Sequence, residues 1–256
     1  MNSEVKSAGR ILDLIEYLAG CTEPVALKQI VADLGYPKSS THALTQTLVA
    51  RGYAVQDITE RYLLVRGSRH GSPARALEAR LVSAAHPIMQ ELRDLSGETV
   101  LLSVLNGRGG LKRLAKSVSR QAIRYDTDFD APSELYCTAS GRVLLAHMKP
   151  AALDAYFAKS DFIAYTPMTV TDPAKLRDIL ARVLAEGVAV NDQEFIAGST
   201  GIAAPIRAKD GRVVAVLNLG TVAPRFQLRR REIIAAVIEA ANRVSARMGY
   251  AGPQGD

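Results

Sequence analysis

Leu34-Gly35-Tyr36-Pro37-Lys38-Ser39-Ser40-Thr41-His42 is the stretch on which the reading of this chain turns. Before it, Leu27, Ile30, Val31 and Leu34 recur at i, i+3, i+4 and i+7, the spacing of one helix face. Gly35 ends that short helix, since glycine tolerates the left-handed conformation of a tight exit. Pro37 cannot continue a helix from Gly35-Tyr36. A new helix then runs from about Lys38 to Arg51, with Leu44 and Leu48 facing inward, and it stops at Gly52. Two helices joined by so short a turn form the core of a helix-turn-helix.

The flanks complete the unit. Ile11, Leu12, Leu14, Ile15 and Leu18 predict an earlier amphipathic helix that ends near Gly20. Tyr53–Val55 and Tyr62–Val65, separated by polar Gln56–Arg61, predict a β-hairpin. Three helices and a hairpin make the winged helix-turn-helix layout, in which the leading end of the second motif helix enters a major groove. Small polar side chains there let the backbone approach phosphate, and longer donors further on reach base edges. The candidate DNA contacts are therefore Lys38, Ser39, Ser40, Thr41, His42, Gln46 and Arg51, with Arg61 on the wing. In this reading His42 and Gln46 point outward, and Gln46 pairs with adenine. The competing reading is a capped surface helix in a protein-interaction module, because short trihelical units serve both purposes.

Composition bounds the rest. The chain has 256 residues, 48% of them hydrophobic and 23% charged, as in an ordinary globular protein. The net charge of +6 permits a polyanionic partner. Its distribution is less telling, since residues 1–70 hold eight Lys/Arg against seven Asp/Glu. From Tyr36 to Gln56, however, the only charges are Lys38 and Arg51. No apolar run approaches the ~18–20 residues of a membrane span, and Met1–Lys6 lacks the pattern of a secretory signal. A cytoplasmic location follows. Cys21 and Cys137 stand far apart, outside any metal-ligand spacing, so no metal or cofactor is expected and both thiols are read as reduced.

Past the hairpin, Ala76, Leu77, Leu81, Val82, Ala85, Ile88, Met89 and Leu92 form a long apolar stripe over Ser72–Ser96. It predicts a linker helix that bends or restarts at Pro87. From Gly97 on, strands and helices alternate. Thr99–Leu105 and Leu111–Ala115 flank the turn Asn106-Gly107-Arg108-Gly109-Gly110. Ala139–Met148 and Pro173–Glu186 read as helices, the second capped by Thr171 or Asp172. Ile202–Ile206 and Val213–Leu219 form a hairpin on an Asp-Gly turn, and a last helix runs from about Leu228 to Met248. The expected fold is α+β: a winged helix-turn-helix over 1–70, a linker helix over 71–96, and an α/β domain with an antiparallel sheet over 97–256.

Arg10-Ile11-Leu12-Asp13, the Leu34–His42 stretch and Gln46–Tyr53 together resemble the IclR family of bacterial transcriptional regulators. Three later segments resemble that family's effector domain in order and spacing: Tyr136–Ala146, Asp192–Gly198 and Ile202–Ile206. The resemblance implies a homodimer or dimer of dimers, a near-palindromic double-stranded DNA operator, and a pocket for a small organic acid. Carried over by position, the pocket comprises Tyr125, Ser133, Ala139, Ser140, Asn191, Ser199, Gly201, Asn218 and Gly220. The chain departs from the family at three places. Asn191 stands where Asp is frequent, Gly201 where Cys is frequent, and Ala43 replaces an arginine common in the recognition helix. The first two point to a larger ligand than a two- or three-carbon acid, with an aromatic carboxylate preferred. Arg124 is read either as a counter-ion or as a solvated strand residue, and Asn218 as meeting a ligand or a backbone partner.

An enzyme finds little support. His42, His70, His86 and His147 are scattered, and no nucleophile elbow, P-loop or zinc-protease motif is present. Gly107-Arg108-Gly109-Gly110 is simplest as a hairpin turn, His86 as a linker-helix surface residue, and Arg229-Arg230-Arg231 as a solvated opening of the last helix. Three hypotheses stand. They are a ligand-responsive regulator of catabolic genes, a small-molecule-binding protein or enzyme whose trihelical unit only dimerises, and an architectural DNA-binding protein.

Overall fold

A computed structural model describes residues 5–57, 60–65, 73–107 and 109–252. The chain forms two compact units, Met1–Pro87 and Ile88–Asp256. His70, Ser72 and Arg108 of the expectations above lie outside the described residues.

In the first unit, α1 (Lys6–Gly20), α2 (Leu27–Leu34) and α3 (Lys38–Ala50) are followed by strands β2 (Ala54–Gln56) and β3 (Arg61–Leu64). A two-residue strand, β1 (Val25–Ala26), pairs antiparallel with the outer side of β3, giving the order β1-β3-β2. Two residues carry no periodicity, so β1 left no trace in the pattern. Leu14, Leu18, Ile30, Leu48, Ala54 and Tyr62 close the core between the helices and the wing. Gly35 caps α2 at φ 67°, the left-handed exit that the sequence demands, and its N–H bonds the Val31 carbonyl.

Helix α4 (Pro73–Ser96) runs through Pro87 as one element, without the expected restart. The carbonyl that loses its partner there belongs to Ser83, an exposed residue, so water satisfies it. His86 is not on the surface. It shares the buried face of Val82, Ala85 and Met89, is 2% exposed, and lies 3.8 Å from the Glu23 carboxylate.

The second unit is built on a five-stranded antiparallel sheet of β4 (Thr99–Leu105), β5 (Leu111–Ser117), β6 (Ala189–Asp192), β7 (Ser199–Arg207) and β8 (Val213–Val222), ordered β5-β4-β8-β7-β6. Helices α5 (Ala139–Ala146), α6 (Pro150–Lys159) and α7 (Pro173–Glu186) fall between β5 and β6, and α8 (Ala223–Arg247) ends the unit. Ala189, Ala203 and Val216 share a core with Val143, Leu144, Leu180 and Val183 of α5 and α7. The alternate positions Ile202, Ala204, Leu217 and Leu219 are buried as well, and α8 packs on β7 and β8. Burial on both faces explains why these strands read as continuous apolar runs. The Asn106–Gly110 segment is a hairpin turn, closed by Asn106 N–H to Gly110 O at 2.8 Å. Asp172, not Thr171, caps α7. The last helix begins at Ala223, so the Arg229-Arg230-Arg231 run lies inside it. Arg229 sits at a kink (φ −124°), held to Ser96 O and Glu232 rather than solvated.

Candidate functional site

Helix α3 presents Lys38, Ser39, His42, Ala43 and Thr47 to solvent. Leu48 is buried and Leu44 half-buried, so the helix face was assigned correctly. Two expected contacts point elsewhere. Thr41 is 1% exposed and its hydroxyl bonds the Pro37 carbonyl, a local back-bond that closes the helix start. Gln46 is half-buried, and its amide donates to Gln56 and to the Tyr62 hydroxyl at 3.2 Å each. It ties the helix to the wing instead of projecting from it. Ser40 accepts from Arg10 at 3.4 Å. Arg51, after the helix, and Arg61, at the start of β3, are exposed.

The second unit holds a cleft that opens to solvent and encloses a cavity of about 50 Å³. Its floor is the sheet face carrying Leu101, Ser103, Asn218, Gly220 and Gly201, and one wall is the start of α5 with Thr138, Ala139 and Ser140. All nine residues carried over by resemblance line it. Arg124 does not: it is exposed and turned to Gln121 O and Asp126. The arginine that lines the cleft is Arg113, which sequence reasoning missed.

Several side chains build this site rather than face it. Thr138 caps α5, accepting from Gly141 N–H at 3.2 Å while donating to Glu134 O at 2.6 Å. Gly141 is obligatory, because a Cβ there would lie 2.2 Å from the Leu135 carbonyl oxygen. Arg142 is 2% exposed and forks the Glu194 carboxylate at 2.6 and 2.5 Å, with its Nε donating to Tyr136 O at 2.8 Å. That pair fastens the 192–198 turn, hence Phe195 and Ile196, to α5. Asn191 bonds the Cys137 carbonyl through Nδ2 and accepts from Glu194 N–H through Oδ1. Its expected role as a ligand donor gives way to a structural one. Gly220 lets the Tyr125 ring lie on β8, where a Cβ would come within 2.4 Å of it. Burial raises the Tyr125 phenol, keeping it protonated as a donor.

Other groups are left unengaged. Ser140 is 6% exposed, and neither it nor Asn218 has a hydrogen-bond partner among the described residues. Arg113 is 7% exposed and donates to Phe129 O, Ala131 O and the Ser133 hydroxyl. No carboxylate lines the cleft among the described residues. Cys137 is buried, and desolvation pushes its thiol up to about 12, which removes it as a nucleophile near neutral pH. No group of metal-ligating side chains is found among the described residues. No helix there is long and apolar enough to cross a membrane.

Arg113 reaches the cleft face in the regular register that runs from Leu105/Leu111 at the hairpin turn, and a β-bulge follows it. Arg113 pairs with Ser103, and the register between β4 and β5 then shifts at Leu102/Ser103, so Lys116 pairs with Leu101, leaving Leu114 as the extra residue. Plain alternation puts residues 113 and 116 on opposite faces. The bulge brings Lys116 to the face of Arg113, which carries Leu101 and Ser103.

Comparison with known proteins agrees with this division. Residues 7–57 match the IclR helix-turn-helix domain, and residues 75–246 match the family described as bacterial transcriptional regulator IclR C-terminal. The chain is 32% identical to the HTH-type transcriptional regulator BhcR of Paracoccus denitrificans, over 94% of this chain and 86% of that one. The crystal structure of the C-terminal domain of the transcriptional regulator KdgR from E. coli superposes with a TM-score of 0.59 at 28% identity, covering 67% of this chain and 99% of that one. An IclR homolog from Microbacterium hydrocarbonoxydans, crystallised with 4-hydroxybenzoate, shares the fold at a TM-score of 0.62 and 24% identity, covering 94% of this chain and 98% of that one.

Proposed function

Because this chain belongs to the IclR family of bacterial transcriptional regulators, and is thus a DNA-binding regulator rather than an enzyme, we propose a specific division of labour between its two units. The first reads a double-stranded operator through Lys38, Ser39 and His42, with Ser40 at their side and Arg51 and Arg61 on flanking phosphates. The second binds a small organic acid in the cleft, and binding alters operator affinity. The regulator works in the cytoplasm as a homodimer or dimer of dimers on genes of catabolism. Two recognition helices then enter successive major grooves about one helical turn apart.

One observation carries the acid: a cleft without lining carboxylates whose wall is the N-terminal end of α5, with Ser140 buried and unengaged beside it. The first N–H groups of a helix lack intrahelical partners, and the dipole there favours an anion. An aromatic carboxylate is preferred over a two-carbon acid, because Gly201 puts no side chain on the cleft floor. The 4-hydroxybenzoate held by the Microbacterium hydrocarbonoxydans homolog is a ligand of that chemical type.

The test is a titration of labelled operator duplex with purified protein, with and without a panel of organic and aromatic acids. Sequence-selective binding that shifts with one acid, together with a raised melting temperature for that acid, is the expected result. Turnover of the acid, or binding indifferent to DNA sequence, overturns the reading.

A further inference from the structure

Among the described residues, four Lys or Arg side chains of the second unit are buried: Arg93, Arg113, Lys116 and Arg142. Three have a carboxylate. Arg93 lies 2.9 Å from Asp94, Lys116 2.7 Å from Asp126, and Arg142 2.5 Å from Glu194. Arg113 has none within ion-pair distance, and only carbonyl and hydroxyl oxygens receive its protons. Burial opposes its charge, Asp130 and Asp128 are near enough to favour that charge without touching it, and an arginine does not escape by losing its proton. Three of its five N–H groups are engaged with residues 129–133. The Nε–H and one Nη2–H remain to receive a carboxylate. The β-bulge after Arg113 places Lys116 on the same face, but Asp126 neutralises that lysine.

Position matters as much as charge. The anion-accepting start of α5 stands over Gly201 on β7, where Ala139 is its neighbour. Arg113 lies on β5, at the other side of the order β5-β4-β8-β7. Three strand spacings separate them, about 14 Å across the sheet before the arginine side chain shortens the gap. One small carboxylate cannot serve both ends. We infer that the cleft selects a dicarboxylic acid, with one carboxylate at the start of α5 and the second on Arg113, which acts as the specificity-determining residue. This rests on the organic-acid reading above and deepens it. Leu101, Leu111 and Phe195 line the apolar middle, so the two carboxylates are joined by a ring or a chain of several carbons.

The experiment compares each diacid with its own monomethyl ester, which keeps length and loses one charge. Terephthalate, adipate and their monomethyl esters are titrated into the full-length protein by calorimetry, for the wild type and for Arg113→Gln. At least one diacid should bind roughly 10- to 100-fold more tightly than its ester, the worth of a charge-assisted hydrogen-bond pair. In Arg113→Gln that advantage should vanish, so that acid and ester bind alike. Arg113→Lys, which keeps the charge without the guanidinium, should retain part of the preference and guards against a folding defect. Equal affinity for acid and ester in the wild type, or a preference that survives Arg113→Gln, overturns the dicarboxylate and leaves the single-acid reading intact. If no acid or ester binds at all, the organic-acid reading falls and this inference with it.

Discussion

Replacing Glu194 with alanine isolates what holds the cleft in shape. The substitution removes both oxygens that receive the Arg142 fork at 2.6 and 2.5 Å, and the acceptor of Val170 N–H at 3.2 Å. Arg142 is 2% exposed, so water cannot replace them. Breaking a buried pair from one side costs about 3–5 kcal/mol, because a charge is stranded in low dielectric. For a unit of this size each kcal/mol moves the melting point by about 2–4 °C. Glu194→Ala should therefore lower the melting of the second unit by roughly 6–20 °C in scanning calorimetry. The double variant Arg142→Met/Glu194→Leu should recover most of that loss, since it removes the stranded charge as well. A single variant that melts within about 1 kcal/mol of the wild type refutes the reasoning. So does a double variant no more stable than the single.

Lys38→Ala should weaken operator binding evenly across sequences and reduce the salt-dependence slope by about one, measured by anisotropy over a salt series. His42→Ala should instead change base preference at one position. Gln46→Ala should act chiefly on stability, by about 1 kcal/mol, because its partners are Gln56 and Tyr62. Cys137 should resist iodoacetamide in the folded protein at pH 8 and react once unfolded, read by mass spectrometry. Its raised thiol makes the folded state the tighter proton holder, so this contribution to stability is present below the unfolded thiol's value of about 8.5 and is lost as pH climbs toward 12. Asn218→Leu should abolish the acid response while sparing operator affinity and melting point, whereas Asn191→Ala should lower the melting point first.

The helices of the first unit and the β7–β8 hairpin were legible because their signals are local: a period, a glycine exit, a turn dipeptide. The bounds of α2 (Leu27–Leu34) and β4 (Thr99–Leu105) match the residues that the pattern nominated. Elements without a period of their own were not legible. Strand β1 has two residues, and α6 (Pro150–Lys159) carries only a short half-buried stripe of Leu153, Tyr156 and Phe157 with no fully buried residue. Side-chain direction failed where tertiary partners decide it. Gln46 is polar and stands on a helix that faces solvent, yet the Tyr62 hydroxyl and the Gln56 amide draw it inward. Of the two readings of Arg124, counter-ion or solvated residue, its exposure favours the second. The true lining arginine, Arg113, follows from the hairpin register that pairs Leu105 with Leu111 and Ser103 with Arg113, whereas the facing of Lys116 depends on a one-residue irregularity that no single-sequence pattern encodes.

The engagement of each polar group then separates what builds the cleft from what reads its contents. Thr138, Arg142, Asn191 and Glu194 direct donors or acceptors to the protein itself, and losing any of them leaves a buried group without its partner. Ser140 and Asn218 have no such internal duty, so substitution there removes an interaction only when a ligand is present, whereas Arg113 also holds residues 129–133 through three of its N–H groups. Asn191 illustrates the difference. Its position suggested a residue that tunes ligand charge, but an amide donates to the Cys137 carbonyl and accepts from Glu194 N–H at once. An ionised aspartate accepts only, and at that site it would face the Cys137 carbonyl without a proton to offer. The choice of amide over acid thus follows from the start of α5 and the 192–198 turn, and in the proposed reading the ligand's charge is met elsewhere, at Arg113 and at the start of α5.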